Sequence, residues 1–373
     1  MSTEPPDDPP EVGSEHPGER VRPVIVLRPR ELIFGGLAAI LLLTYLLLGV
    51  RVAPAVSLSG TPTPTPTLAS GPIQAPKVIP GTIAFVIRGD VFVMRGGSYR
   101  AQTSEGRALQ PSLSADGAQV VFARSESVDG RRVVDGQVTS ASLGFTNIIR
   151  KPAGGGSEEM LLSGLTRAGN GFHEVSWLLG PALSTSGRQL AFVEDSGDGT
   201  GNSELEVLDL QTRRIATLSS GSRLADPAWS PDGKTIVVTT YTSQNEPPGL
   251  LLVTADGKSA TRVKIPEGDA YAPSFSRDGK WLVYTLRTGK SNDVHAVELA
   301  TARDIALTTG GASWHGVFSP DGASVAFLRE EKQVIDLWTM ELGEALAGGA
   351  PKAPMKLTHG EGVNGEDRPS WGS

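Results

Sequence analysis

The chain has 373 residues, with 34 Lys and Arg against 41 Asp and Glu and a formal charge of -7. That balance, with no long basic run, excludes a phosphate-backbone binder, which needs clustered cations. Without cysteine there is no disulfide framework, thiolate nucleophile, Cys-ligated zinc or iron-sulfur cluster, and 45 Gly with 27 Pro point to many turns.

In chain order, residues 1–31 carry seven acids and four arginines, with paired prolines and few large apolar groups, and are expected to form a disordered cytoplasmic tail. Residues 32–50 are a run of 19 uncharged, mostly apolar residues, which at about 1.5 Å per residue matches the roughly 30 Å hydrocarbon layer. The run predicts one transmembrane helix acting as a signal anchor. A cleaved signal peptide is the competing reading, because Ala53-Pro54-Ala55 fits a small-x-small site. Arg20, Arg22, Arg28 and Arg30 precede the run and only Arg51 closely follows it, so the tail is expected inside and the rest outside the cell membrane. Residues 51–77, with Thr-Pro repeated from Thr61 to Thr67, read as a semi-stiff polyproline II spacer.

From residue 78 a repeat is legible. Its clearest copy is Pro227-Ala228-Trp229-Ser230-Pro231-Asp232-Gly233, followed by apolar residues 236–238. Further copies carry Ser114-Ala115-Asp116-Gly117, Ser276-Arg277-Asp278-Gly279, Ser319-Pro320-Asp321-Gly322 and the degenerate Ser184-Thr185-Ser186-Gly187, and Pro369-Ser370-Trp371 is a partial sixth. Pro, Asp and Gly in this order write a tight turn, with Gly at a positive φ where the next strand begins. The bulky residue ahead of the turn, as Trp229 or Phe275, is expected to pack into the next blade. Spacings of 70, 46, 46, 43 and 53 residues suit a four-stranded blade. The long first gap predicts an insertion in the second blade, at 125–140 and 168–175. Residues 81–104 contain three strands with no preceding turn motif, so the two ends should combine into one blade and remove the exposed sheet edges.

These residues resemble the TolB-like family of WD40-like (PD40) propeller repeats, whose hallmark is the P-x-[WF]-S-P-D-G run. The resemblance covers residues 78–373. It implies an all-β fold, a six-bladed propeller of four-stranded blades, and a family that includes envelope-complex subunits and the non-catalytic propellers of larger peptidases.

No G-x-S-x-G elbow, H-E-x-x-H or Walker-type loop is present, and no enzyme is expected. His16, His173, His295, His315 and His359 are too scattered for a local metal motif, although a propeller can gather such residues at its axis. The stretch from Asp195 to Glu204 superficially resembles a calcium loop but misses EF-hand spacing, and Arg88-Gly89-Asp90 reads as a turn between two strands. Residues just before each motif are expected to ring one mouth of the channel: Gln110, Trp177, Asp226, Tyr271, Trp314, His315, Asp367 and Arg368. Aromatic and charged groups together suit a protein or peptide hot spot, against inter-blade packing for the aromatics and solvated loops for the charges. The reading is a single-pass, extracytoplasmic, non-catalytic scaffold for an envelope protein or peptide, with no cofactor and no nucleic acid. The alternative is a metal-assisted carbohydrate-active lyase or hydrolase with its site on the axis.

Overall fold

The structure, a computed structural model, describes residues 24–26, 79–134, 137–167, 173–196, 202–241 and 247–373. The apolar runs at 120–123, 190–193, 236–238, 282–284 and 325–328 are each at most 1 % exposed. Each lies in the second strand of a four-stranded antiparallel blade, and such unbroken runs are what a strand covered on both faces requires.

Six blades result. The first takes its inner strand from the end of the chain: Ser370–Gly372 pairs with Thr82–Ile87, followed by Asp90–Arg95 and Ser98–Ala101. Inner strands of the second to sixth blades are Ala108–Leu113, Trp177–Leu183, Leu224–Trp229, Asp269–Phe275 and Ser313–Phe318. Ring closure through the termini is therefore as the sequence predicts. Among the described residues the one helix is the 3-10 turn Ala345–Ala347, and no helix there is long and apolar enough to cross a membrane. The predicted helix 32–50 and spacer 51–77 lie outside the described residues, as does the tail 1–31 except Val24–Val26.

The insertion in the second blade falls where expected but is built differently. Instead of a loop at 125–140, the two middle strands continue outward as Gln119–Val134 and Gln137–Pro152, paired over 16 residues without a register shift. Val24–Val26 pairs in parallel with this ribbon, Val24 opposite Arg131. The second part of the insertion is a small hairpin, Leu165–Arg167 with His173–Val175.

The repeat turn is held by its serine as much as by Pro and Gly. Ser114, Ser230, Ser276 and Ser319 each donate Oγ–H to the aspartate two residues on, at 2.5 to 2.7 Å. Each Oγ also accepts the N–H five residues on at 2.9 to 3.0 Å, closing the turn onto the second strand. The aspartate Oδ1 accepts a further backbone N–H at 3.0 to 3.1 Å, and the glycine takes a φ between +67° and +74°. In the degenerate copy Ser186 replaces the aspartate and contacts Ser184 Oγ at 3.1 Å.

A second repeated device was not read from the sequence. Asp90, Asp293 and Asp336, at or near the start of third strands, accept Oγ–H from Thr103, Thr308 and Thr358 at 2.8 to 2.9 Å and an N–H from Gly106, Gly311 and Gly360. Each threonine in turn accepts the N–H after the aspartate at 2.9 Å. These clips fix the connection that leaves one blade for the next.

The bulky residue before each turn packs on the preceding blade, not the next one. Trp229 sits among Ala182, Val193 and Leu205 and donates Nε1–H to Ala182 O at 3.0 Å; Phe275 meets Val237 and Leu250; Trp371 meets Val317 and Leu328. The reason is a bulge in every complete inner strand, as between Ala225 and Ala228, where three steps on one strand face two on the other. One extra residue reverses which face the later side chains take.

Trp371 is 9 % exposed and donates Nε1–H to Pro80 O at 2.7 Å, tying both ends of the chain together. Trp371→Ala should lower the unfolding free energy by about 3–5 kcal/mol. Removal of residues 369–373 should cost more, because it also uncovers the edge of Thr82–Ile87. Guanidinium unfolding reads both, and unchanged midpoints would show that closure contributes nothing.

Candidate functional site

The inner-strand bulges surround the channel axis. At each sits a residue of positive φ: Gln110 (51°), Gly180 (58°), Asp226 (52°), Ala272 (52°) and His315 (57°). Four of the five are not glycine, so strained backbone is concentrated at one level of the channel. A bulge removes the local N–H from the strand ladder, and side chains take it up. Gln110 N–H donates to Asp367 Oδ1 at 2.7 Å, Gly180 N–H to Gln110 Oε1 at 2.7 Å, Ala272 N–H to Thr239 Oγ1 at 3.1 Å and His315 N–H to Thr285 Oγ1 at 2.9 Å.

Across this level reaches Arg368, which occupies in the first blade the place that Asp226 has in the fourth. It donates to Pro227 O at 3.1 Å and to Pro273 O, on the fourth and fifth blades. Burial lowers its pKa, opposed by the attraction of Asp226. His315 is buried, and burial pulls its pKa down to about 4, so the ring is neutral near pH 7 with Nδ1 unpartnered. Asp367, also buried, is pushed up to about 6 by desolvation in spite of the hydrogen bonds from Gln110 N–H and Asn364 Nδ2.

Five of the eight expected residues, Gln110, Asp226, His315, Asp367 and Arg368, therefore come together, at a neck inside the channel. Tyr271 flanks them, its ring 6.1 Å from that of His315 and its hydroxyl donating to Asn292 Oδ1 at 2.7 Å. The two tryptophans do not join the ring. Trp314 packs among the first and sixth blades and donates Nε1–H to Gly365 O at 2.8 Å. Trp177 lies on the long ribbon, where a Cβ on Gly144 would come 2.9 Å from its indole.

From the neck a funnel of about 330 Å³ opens at the opposite end of the inner strands, the end with the repeat turns. Its wall includes Trp229, Phe275, Phe318 and Trp371. Its rim carries the second residue of each Ser-x-x-Gly turn: Ala115, Thr185, Pro231, Arg277 and Pro320. These rim residues were missed by the sequence reading, although the variable position inside an otherwise repeated turn was the signal that could have found them. The other histidines stand apart: His295 bonds Asp304 Oδ2 at 2.7 Å in the fifth blade, His173 is in the small hairpin and His359 follows the sixth blade. Among the described residues no three His, Asp or Glu side chains are grouped to hold a metal ion. Arg88 and Gly89 form a positive-φ turn, and residues 197–201 of the calcium-like stretch lie outside the described residues.

Comparison with known proteins agrees with this geometry. Residues 172–349 match the family model described as the TolB beta propeller domain, and the resemblance read from the repeat is shown there. A protein TolB homolog of Chlorobium luteolum is 29% identical over 206 residues, 55% of this chain and 43% of that protein. The chain thus spans less than half of that relative. The crystal structure of TolB from Acinetobacter baumannii (TM-score 0.57, 19% identity, 79% of this chain and 67% of that one) and the structure of a putative TolB from Agrobacterium tumefaciens (TM-score 0.56, 17%, 78% and 92%) share the fold.

Two opposed sets of carboxyls set the pH dependence. Asp116, Asp232, Asp278 and Asp321 are held below their ordinary value of 3.8, chiefly by the serine hydroxyl, so their contribution is present above about pH 4 and lost as pH falls. Asp367 and Glu206 are raised by burial to about 6 and about 7, so the stability of their neutral forms is lost as pH rises through those values. His315, lowered to about 4, works against them, because the stability of its neutral ring is gained as pH rises from about 4 towards 6.5 and offsets Asp367 over that window; with Glu206 added, the urea midpoint should peak at about pH 4 to 4.5 and decline towards pH 7. Asp367→Asn should flatten the decline between about pH 4 and pH 6, and an unaltered decline there would remove Asp367 as its source.

Proposed function

We propose that the chain is a non-catalytic binding platform of the cell envelope, a propeller whose channel funnel receives a protein or peptide segment. One observation carries this reading: a solvent-open funnel of about 330 Å³ at the turn end of the channel, with a mixed apolar and polar lining and Asp226 and Arg368 at its floor. Apolar walls supply burial, and a few placed polar groups supply orientation. The similarity to TolB proteins supports the same reading. For the alternative, a metal-assisted carbohydrate-active enzyme, the neck offers His315 as its one histidine, and the other described histidines point to separate places in the fold.

The platform is held at the membrane by residues 32–50, with the propeller on the outer side. The pairing of Val24–Val26 with the long ribbon makes the opposite demand, since it keeps the tail on the propeller side. The absence of native cysteine gives a clean discrimination. Ser14→Cys and Ser104→Cys variants in intact cells, treated with a membrane-impermeant maleimide, should label at position 104 and not at 14. Labelling at both would overturn the anchor.

In-cell crosslinking of the full chain should capture a reproducible envelope protein. An Arg277→Ala, Asp226→Ala pair, altering one rim and one neck residue, should reduce that capture at least about tenfold if the funnel carries a hot spot of 1.4 kcal/mol or more. Capture that is equal in the variant would place the interface elsewhere, and no capture at all would sink the platform.

A further inference from the structure

The contacts of Arg368 cross the channel. The acceptors lie 141 and 95 residues away in sequence, and both belong to bulges: Pro227 between Ala225 and Ala228, Pro273 between Tyr271 and Ser274, where neither proline has a partner in the strand ladder. Two carbonyls left over by bulges converge on one point of the axis. A guanidinium is planar and forked, and it meets two convergent acceptors with separate N–H groups, which a compact ammonium does less well. Asp226 supplies the balancing negative charge, and its carboxylate also accepts Thr239 Oγ–H at 3.1 Å, which keeps it oriented. His315, neutral, adds no competing positive charge. These acceptors and the carboxylate belong to the fourth and fifth blades, whereas the cation comes from the other end of the chain beside the closing strand. The recognition site and the group that fills it are thus separate parts of the fold.

We propose that the neck is a guanidinium-binding site which the chain fills with its own Arg368, and that an incoming arginine side chain is the partner group able to take it. The second half rests on the platform reading, because only a protein entering the funnel brings such a side chain to the neck. The chemistry of the neck stands without it.

Chemical rescue tests the site. In the full chain, Arg368→Ala leaves two carbonyls and Asp226 without their cation, and its Tm should fall. Methylguanidinium at millimolar concentration, far below the range in which guanidinium denatures, should restore roughly half or more of the lost Tm in a saturable manner. The wild type, already filled, should show no such gain, and Asp226→Asn in the Arg368→Ala background should abolish the rescue. If Arg368→Ala does not fold, Arg368→Gln, which keeps an amide donor for one carbonyl, takes its place in the same titration. Three results would each overturn the proposal: an unchanged Tm on replacement, a lowered Tm that methylguanidinium does not raise, or an equal gain from sodium chloride, which would indicate charge screening. Failure of rescue removes the guanidinium site and leaves the platform standing, whereas failure of crosslinking removes the platform and leaves the rescue result intact.

Discussion

Six apolar clusters hold the propeller together, and each lies between two blades. The inner-strand residue before every turn, from Leu113 and Leu183 to Phe318 and Trp371, reaches back onto the blade before it. No blade owns a complete core, so the stability of each is set by its neighbours, as in other stacked repeats. In an open array the first blade would leave one such face to water. The ring removes that deficit by setting Ile83, Phe85 and Met94 of the first blade, together with Trp371 from the far end of the chain, against Val317 and Leu328 of the sixth. Closure of the ring thus depends on the pairing of Ser370–Gly372 with Thr82–Ile87, residues at the two ends of the propeller, the kind of non-local contact whose loop-closure entropy slows folding.

The same constraint explains why the axis is polar. Packing the inner strands side by side leaves the five bulges facing one another, and a bulge exposes backbone groups that the ladder no longer satisfies. Water would satisfy them in a wide channel. Here side chains do so, and they run from blade to blade: Asp367 to Gln110, and Gln110 to Gly180. A buried carboxyl at the head of that relay is costly as an ion, and the upward displacement of its pKa is the physical expression of that cost. Strain at Gln110, Asp226, Ala272 and His315 is tolerated because each is over-determined by such bonds or by the following residue, which is Pro in three cases and Gly in the fourth.

Much of the architecture was legible because it repeats. Ser-x-Asp-Gly followed by an apolar run gave the number of blades, and the unmatched fragments at the two ends gave the shared blade. What stayed hidden was whatever the repeat does not write. The Asp–Thr–Gly clip spans 13 residues in the first blade, 15 in the fifth and 22 in the sixth, so no fixed spacing announces it. The bulge has no residue signature beyond an apparently ordinary Gln110, Asp226 or Ala272 before a proline, yet it decides the direction in which Trp229 points. For the channel residues, position in the repeat placed Gln110, Asp226, His315 and Arg368 at the same height, but whether a side chain faces the axis or its neighbour depends on that unseen extra residue. Trp177 and Trp314 lie ahead of the bulges in their strands, and their indoles pack on the long ribbon and between the first and sixth blades.

The turn has a further consequence. Its serine, its aspartate and its glycine make the same bonds in every copy that keeps the aspartate, whereas the residue between serine and aspartate stands at the rim and varies, being Ala, Pro, Arg or Pro; where it is Pro it sets the first corner of the turn, and Arg277 donates to Pro320 O of the next turn at 2.6 Å. The variable chemistry of the entrance and the fixed chemistry of the turn are thus encoded side by side in one short segment. A lineage carrying this scaffold can redecorate the entrance one blade at a time, by single substitutions, without renegotiating the hydrogen bonds that make it a propeller.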